Sequence, residues 1–169
     1  MSMAPADLLI AQADYSDPAH MDAVLDLLDA YARDPAGGGE GLSAYAKTNL
    51  ADALRQRPTL FSVLAFDRRA QMLPVGLVNC VEGFSTFACK PLVNVHDVVV
   101  AGSHRGLGIG AQMLATVEHI ARQRGACKLT LEVLSGNRSA VALYQRIGFA
   151  NYQLDPAMGH ANFMQKWLD

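Results

Sequence analysis

The chain has 169 residues, 51% of them hydrophobic and 18% charged, with a formal net charge of -2. This length allows one domain with a substantial core and leaves too little for two. The scattered charges form no basic face or stripe for nucleic acid, and no apolar run approaches the roughly 20 residues of a membrane-spanning helix, so neither partner is expected.

Residues 1–5 carry no positive charge and lead into Asp7, unlike a secretory leader. Leu8, Leu9 and Ile10 form a short apolar run that predicts a first strand. Across 18–33, Met21, Val24, Leu25, Leu27 and Leu28 recur at helical spacing, with aspartates on the other side. Residues 34–39, one proline and three glycines among them, must be a loop; the stretch around Glu40 is either a surface loop or a lid. A second helix is expected over 43–56, then strands over 60–66, 75–82 and 93–100. Residues 109–124 predict a helix with Met113, Leu114, Val117, Ile120 and Ala121 on one stripe and Gly125 past its end. In 128–134, Leu129, Leu131 and Val133 alternate with polar neighbours, the pattern of a strand. A shorter helix over about 137–147 closes at Gly148, and two last strands are expected near 149–153 and 162–167. With no repeat or linker, 1–169 is expected to be a single α/β domain with a mixed sheet.

Cys80, Cys89 and Cys127 are odd in number and lack a C-x-x-C pair, which predicts reduced thiols in a cytoplasmic protein, each packed as a small apolar residue. The five histidines lack metal-ligand spacing, so no metal is expected.

The most informative segment is Arg105-Gly106-Leu107-Gly108-Ile109-Gly110, between a strand and a long helix. A glycine-rich turn at a helix start exposes several backbone N–H groups to one anion, and the helix dipole adds roughly half a positive charge. Arg105 adds a fork of donors suited to phosphate. Together they predict a pyrophosphate cradle. A rival is the dinucleotide fingerprint G-x-G-x-x-A, met by Gly106, Gly108 and Ala111, with Glu132 as the ribose acid. Against it, Ala101 to Arg105 intervene before the first glycine, and too little chain follows Glu132 for a doubly wound domain.

The run His104 to Gly110 resembles the coenzyme A signature R/Q-x-x-G-x-G/A of the GNAT superfamily of N-acetyltransferases. Val95-His96-Asp97-Val98-Val99-Val100 resembles that family's fourth strand. Leu131 to Leu134, followed by Asn137, Ala140, Leu143-Tyr144 and Gly148-Phe149, resembles its second signature. The resemblance implies a mixed sheet, mostly antiparallel, with parallel, splayed fourth and fifth strands and about four flanking helices. It also implies acetyl-coenzyme A as cosubstrate, a small-molecule primary amine as acceptor, and a homodimer. The alternative of another class is a catalytically idle module that binds acetyl-coenzyme A.

By that resemblance the backbone of Val98, Val99 and Val100 meets the pantetheine and thioester, and Arg105, Gly106, Leu107, Gly108, Ile109, Gly110 and Ala111 hold the pyrophosphate. Asn137, an ordinary helix cap, would also bond the coenzyme. Tyr144 corresponds to the family's tyrosine beside the sulfur, where a phenol with pKa about 10 can protonate a departing thiolate; otherwise it packs the helix interface. Attack requires a deprotonated amine. His96 stands where part of the family has an acid, and an imidazole suits a base near neutral pH. Successive strand residues face opposite sides, so only one of the two catalytic candidates His96 and Asp97 can point at the acetyl group; with His96 as the base, Asp97 faces the other side, orienting neighbouring groups or holding a loop. Glu82, Phe84 and Ser85, in the segment 82–87, form either an acceptor pocket, with Glu82 drawing a cationic amine and His96 lining the cleft, or an ordinary turn.

Overall fold

A computed structural model describes residues 3–155, 157, 159 and 161–168. The chain divides into two compact units, Met1–Leu131 and Glu132–Asp169, each taken by itself.

In the first unit, β1 (Leu8–Gln12) runs antiparallel to β2 (Leu60–Asp67). Between them lie α1 (Pro18–Arg33) and α2 (Ala44–Arg55). Asp17 caps α1 by accepting from the Ala19 N–H, with Pro18 preset for the first turn; Ser43 caps α2 through the Ala46 N–H. β3 (Leu73–Ser85) and β4 (Lys90–Val100) form a long antiparallel hairpin, then α3 (Ile109–Gln123) leads to β5 (Leu129–Leu131). Among the described residues the sheet order is β1-β2-β3-β4-β5, and only β4 and β5 are parallel. This is the mixed, mostly antiparallel sheet the sequence leads one to expect.

Helices lie against both faces, which is why β2 reads as a nearly continuous apolar run. On one side Val24 and Leu27 of α1 and Leu54 of α2 pack against Leu64, Leu77 and Val99. On the other, α3 buries Met113, Leu114 and Val117. Gly76 of β3 makes that approach possible: a Cβ there would stand 2.8 Å from the Met113 sulfur.

Two local features shape the centre of the sheet. Asn79 pairs with Asp97 but Cys80 pairs with Val95, so His96 is left over in a β-bulge. The parallel ladder ends at Val95 and Leu131, whereas β4 continues to Val100. The fourth and fifth strands therefore part company just at the bulge.

β5 is shorter than the expected 128–134, and Val133 and Leu134 beyond it are exposed. In the second unit, α4 (Arg138–Arg146) forms as expected. The two last strands do not: among the described residues 149–153 and 162–167 are irregular, with Tyr152, Phe163, Met164 and Trp167 exposed. Apolar residues alternating with polar ones meet the pattern of a strand, but a strand also needs a ladder partner for its backbone, and none pairs here. Of the cysteines only Cys80 is buried; Cys89 and Cys127 are exposed, contrary to the expected packing of all three.

Candidate active site

The turn from β4 into α3 is built by backbone conformation. After Val100, the short helical turn Gly102–His104 leads to an extended Arg105. Gly106 and Gly108 then adopt φ of 77° and 79°, the left-handed region that favours glycine, and Gly108 is the N-cap of α3. A Cβ on Gly106 would meet nothing within 4 Å, so conformation and access, not packing, call for glycine there. The leading N–H groups of a helix have no intrahelical acceptor. In α3 these include Ile109, Gly110 and Ala111, at the positive end of the helix dipole. Glycine-lined N–H donors at a helix start suit the diphosphate of a nucleotide cofactor.

Arg105 is engaged within the protein. Its Nε donates to the Val100 carbonyl (3.2 Å) and its Nη2 to the Asp34 carboxylate (2.8 Å), with the side chain 60% exposed. The preceding His104 braces the turn, its Nε2 3.3 Å from Asp67 at the end of β2 and its Nδ1 2.8 Å from Ser103. Asp67 is buried, and the hydrogen bond from Arg69, aided by His104, holds its carboxyl below the usual range against the opposing effect of burial. Sequence reasoning missed Asp34 and Asp67; no local signal marks either as a partner of this turn.

On β4, His96 is exposed at the bulge and Asp97 is half-buried. Val99 packs toward α1, while Val98 and Val100 are half-buried. Asp97 accepts from Asn79 Nδ2 (3.0 Å), Asn79 Oδ1 accepts from Ser62 (2.6 Å), and Ser62 lies 2.8 Å from the Tyr15 hydroxyl. Sequence reasoning singled out only Asp97 of these four. Burial raises the Tyr15 and Tyr31 phenols, and for Tyr31 the charges of Asp97 and Asp34 add to the rise. Burial also pushes the Cys80 thiol up to about 12, so it stays protonated and is no nucleophile.

The expected acceptor loop is instead strand: Glu82, Phe84 and Ser85 pair with Val93, Pro91 and Lys90 in the β3–β4 hairpin. Glu82 is bound to Arg124 at 3.0 Å, and that guanidinium sits 4.3 Å above the Phe61 ring. Its charge is therefore already matched. Phe84 is exposed.

In the second unit Asn137 caps α4, its Oδ1 accepting from the Ala140 N–H at 3.3 Å. Tyr144 is buried, and its ring meets Phe149 edge-on at 5.9 Å. The Phe149 N–H donates to the Tyr144 carbonyl (2.9 Å), closing the helix end over Gly148.

Residues 21–149 match the family model described as the acetyltransferase (GNAT) family. The chain belongs to that family. GNAT proteins use acetyl-coenzyme A, which agrees with a phosphate cradle at α3. The dinucleotide rival fails on the sheet, because a doubly wound fold is parallel where β1 to β4 are antiparallel. The chain is similar to streptothricin acetyltransferase of Streptomyces lavendulae, 42% identical over 87 residues that cover 50% of this chain and 46% of that protein. It is similar to thialysine N-epsilon-acetyltransferase of Sus scrofa, 34% identical over 105 residues covering 58% and 60% of the two chains. The match to the first thus spans under half of that relative's length. A crystal structure of a probable acetyltransferase shares the fold, with TM-score 0.79, 21% identity, and coverage of 95% of this chain and 99% of that one. Among the described residues no helix is long and apolar enough to cross a membrane.

Proposed function

We propose that this GNAT chain is an acetyl-coenzyme A-dependent N-acetyltransferase, with 1–169 acting as one domain on a primary amine of a small molecule. The observation that carries the reading is the glycine turn into α3, reached from β4 through Ala101 to Arg105, with the β4 ladder to β5 ending at Val95. Relatives named for acetylating streptothricin and the N-epsilon of thialysine support a small acceptor.

In this reading the N–H groups from Gly106 to Ala111 hold the diphosphate, and Arg105 turns to it from Asp34. Bound there, the coenzyme supplies an activated acetyl thioester. The backbone of Val98 to Val100 orients the acyl group, and its N–H groups stabilise negative charge that develops on the carbonyl oxygen. His96 accepts a proton from the attacking amine, directly or through one water. Tyr144 donates a proton to the departing sulfur, and Asn137 bonds the coenzyme; both roles rest on the second signature alone.

Thermal shift with coenzyme A, NAD and ATP tests the cradle, since a ligand that binds only the native state raises the melting temperature. Stabilisation by coenzyme A is expected, and a response to NAD without one to coenzyme A overturns the reading. Turnover of acetyl-coenzyme A with a panel of primary amines is expected next. Binding without any turnover would make the chain a coenzyme-binding module instead.

A further inference from the structure

The sheet face beneath α1 carries two neighbouring rows of opposite character. Leu64, Leu77 and Val99 stand in register across β2, β3 and β4 and pack into the apolar core. Two residues along each strand, Ser62, Asn79 and Asp97 stand in register as a polar row. Ser62 is wholly buried, and burying such a row is unfavourable unless each group is satisfied.

It is satisfied in one direction. Ser62 Oγ donates to Asn79 Oδ1, so the Tyr15 hydroxyl at 2.8 Å must donate to Ser62. Asn79 Nδ2 then donates to Asp97 Oδ2. Every dipole in the series points its positive end toward the Asp97 carboxylate, which fixes the orientation of that carboxylate. An amide in the middle of the series cannot pass a proton along by simple hopping, so the row orients the carboxylate and does not relay to it.

The charged end lies beside the His96 bulge and the Val98–Val100 stretch. Across from it lies Tyr31 of α1, whose phenol is raised first by burial and then by the charges of Asp97 and Asp34; Asp34 is matched by Arg105, which leaves Asp97 as the unmatched carboxylate of the two. Such an end attracts a cation and holds it at the strand assigned above to the acyl group.

We infer that Asp97 anchors the acceptor as an alkylammonium, and that Asn79, Ser62 and Tyr15 are positioning residues that hold its carboxylate in place. This rests on the acetyltransferase reading and narrows it to acceptors that arrive cationic. The inference differs from the assignment of His96, which removes the proton once the amine is seated.

The test compares n-butylamine, cationic at pH 7.5, with methoxyamine, neutral there, using wild type, Asp97→Asn, Asn79→Leu and Tyr15→Phe. Asn79→Leu is expected to raise the KM for n-butylamine about tenfold, the scale of one hydrogen bond to a charged group, and to leave methoxyamine nearly unchanged. Asp97→Asn should abolish the preference for the cation, and the KM for acetyl-coenzyme A should stay the same in all variants. Tyr15→Phe removes one hydroxyl and should shift the preference in the same direction by about threefold, which keeps the test intact if Asn79→Leu does not fold. A purely structural row would affect both amines equally, and that result overturns the inference. If wild type turns over neither amine, the acetyltransferase reading is decided separately, by turnover with the wider panel of primary amines. Calorimetry of n-butylammonium with the coenzyme A complex then decides: binding lost in Asp97→Asn sustains the anchor, and its absence in wild type overturns it.

Discussion

Arg105 and Asp34 stand 71 positions apart in the chain and meet at 2.8 Å through Nη2 and Oδ2. The cation expected to meet a phosphate is thus held by a carboxylate from the loop after α1. An ion pair this exposed contributes about 0–1 kcal/mol, so a doubly charged ligand can displace it. Asp34→Asn should therefore tighten coenzyme A binding by about two- to fivefold. The gain should shrink as salt screens the exposed charges. Calorimetry at two salt concentrations reads both effects; weaker binding in the variant would show that Asp34 supports the cradle instead of competing for it.

Gly108 gives the cradle its most direct test. At φ 79° a β-branched side chain is strained by about 1–3 kcal/mol, so Gly108→Val should lower the melting temperature as well as coenzyme affinity. Gly125, at φ 73° after the other end of α3, supplies the matched control, because a Cβ there meets nothing within 4 Å. Both valine variants should lose stability through their positive φ. Only Gly108→Val should lose coenzyme affinity, by about tenfold or more, which is the effect of about 1.4 kcal/mol in binding. Equal affinity in the two folded variants would put the diphosphate elsewhere.

What was legible in the sequence was local. The glycines at 106 and 108 announce a left-handed turn because the required φ is written into the residue type, and Asn137 announces a cap because its side-chain oxygen can accept a helix-start N–H. The apolar stripe of α3 follows from its periodicity. The bulge at His96 is not local: it exists only because β3 sets a register on either side of it. Glu82 invites a cation when read alone, and its actual cation, Arg124, lies 42 residues on. Likewise Ser62, Asn79 and Asp97 become one row only when β2, β3 and β4 pair. Segments 149–153 and 162–167 show the converse, a strand pattern that finds no ladder among the described residues.

Asp29 predicts how stability depends on pH. Its carboxylate accepts from Arg33, from Lys47 and from the Leu42 N–H, which ties α1 to the start of the α2 segment. The Arg33 hydrogen bond first, then Lys47 and the Leu42 backbone, lower its pKa to about 2. An unfolded aspartate titrates near 3.9, so the folded state favours the ionised form. The stabilisation is fully present above about pH 4 and is lost as pH falls through about 2. Asp29→Asn should melt below wild type at pH 7, with the gap closing on acidification across that window. A gap independent of pH would mean that the amide disturbs packing and not charge.

His96 carries the sharpest prediction about chemistry. It sits exposed in the bulge, one residue before the anchored Asp97 and two before Val98, where β4 has already left its ladder with β5. A bulge re-aims a side chain, which frees His96 from the alternation that would otherwise fix its side of the sheet. An imidazole nitrogen can accept the amine's proton, whereas the Asp97 carboxylate is already engaged by Asn79. If His96 is the base, kcat/KM should rise with pH along a limb that His96→Gln flattens, with turnover lowered about 100-fold, the usual scale of general-base catalysis. The amine's own titration gives a similar limb, so two acceptors of different basicity are needed. A limb due to His96 stays in place when the acceptor changes; one due to the amine moves with it. If the limb moves and survives in His96→Gln at near-normal turnover, the amine loses its proton to water, and His96 only lines the path to Asp97.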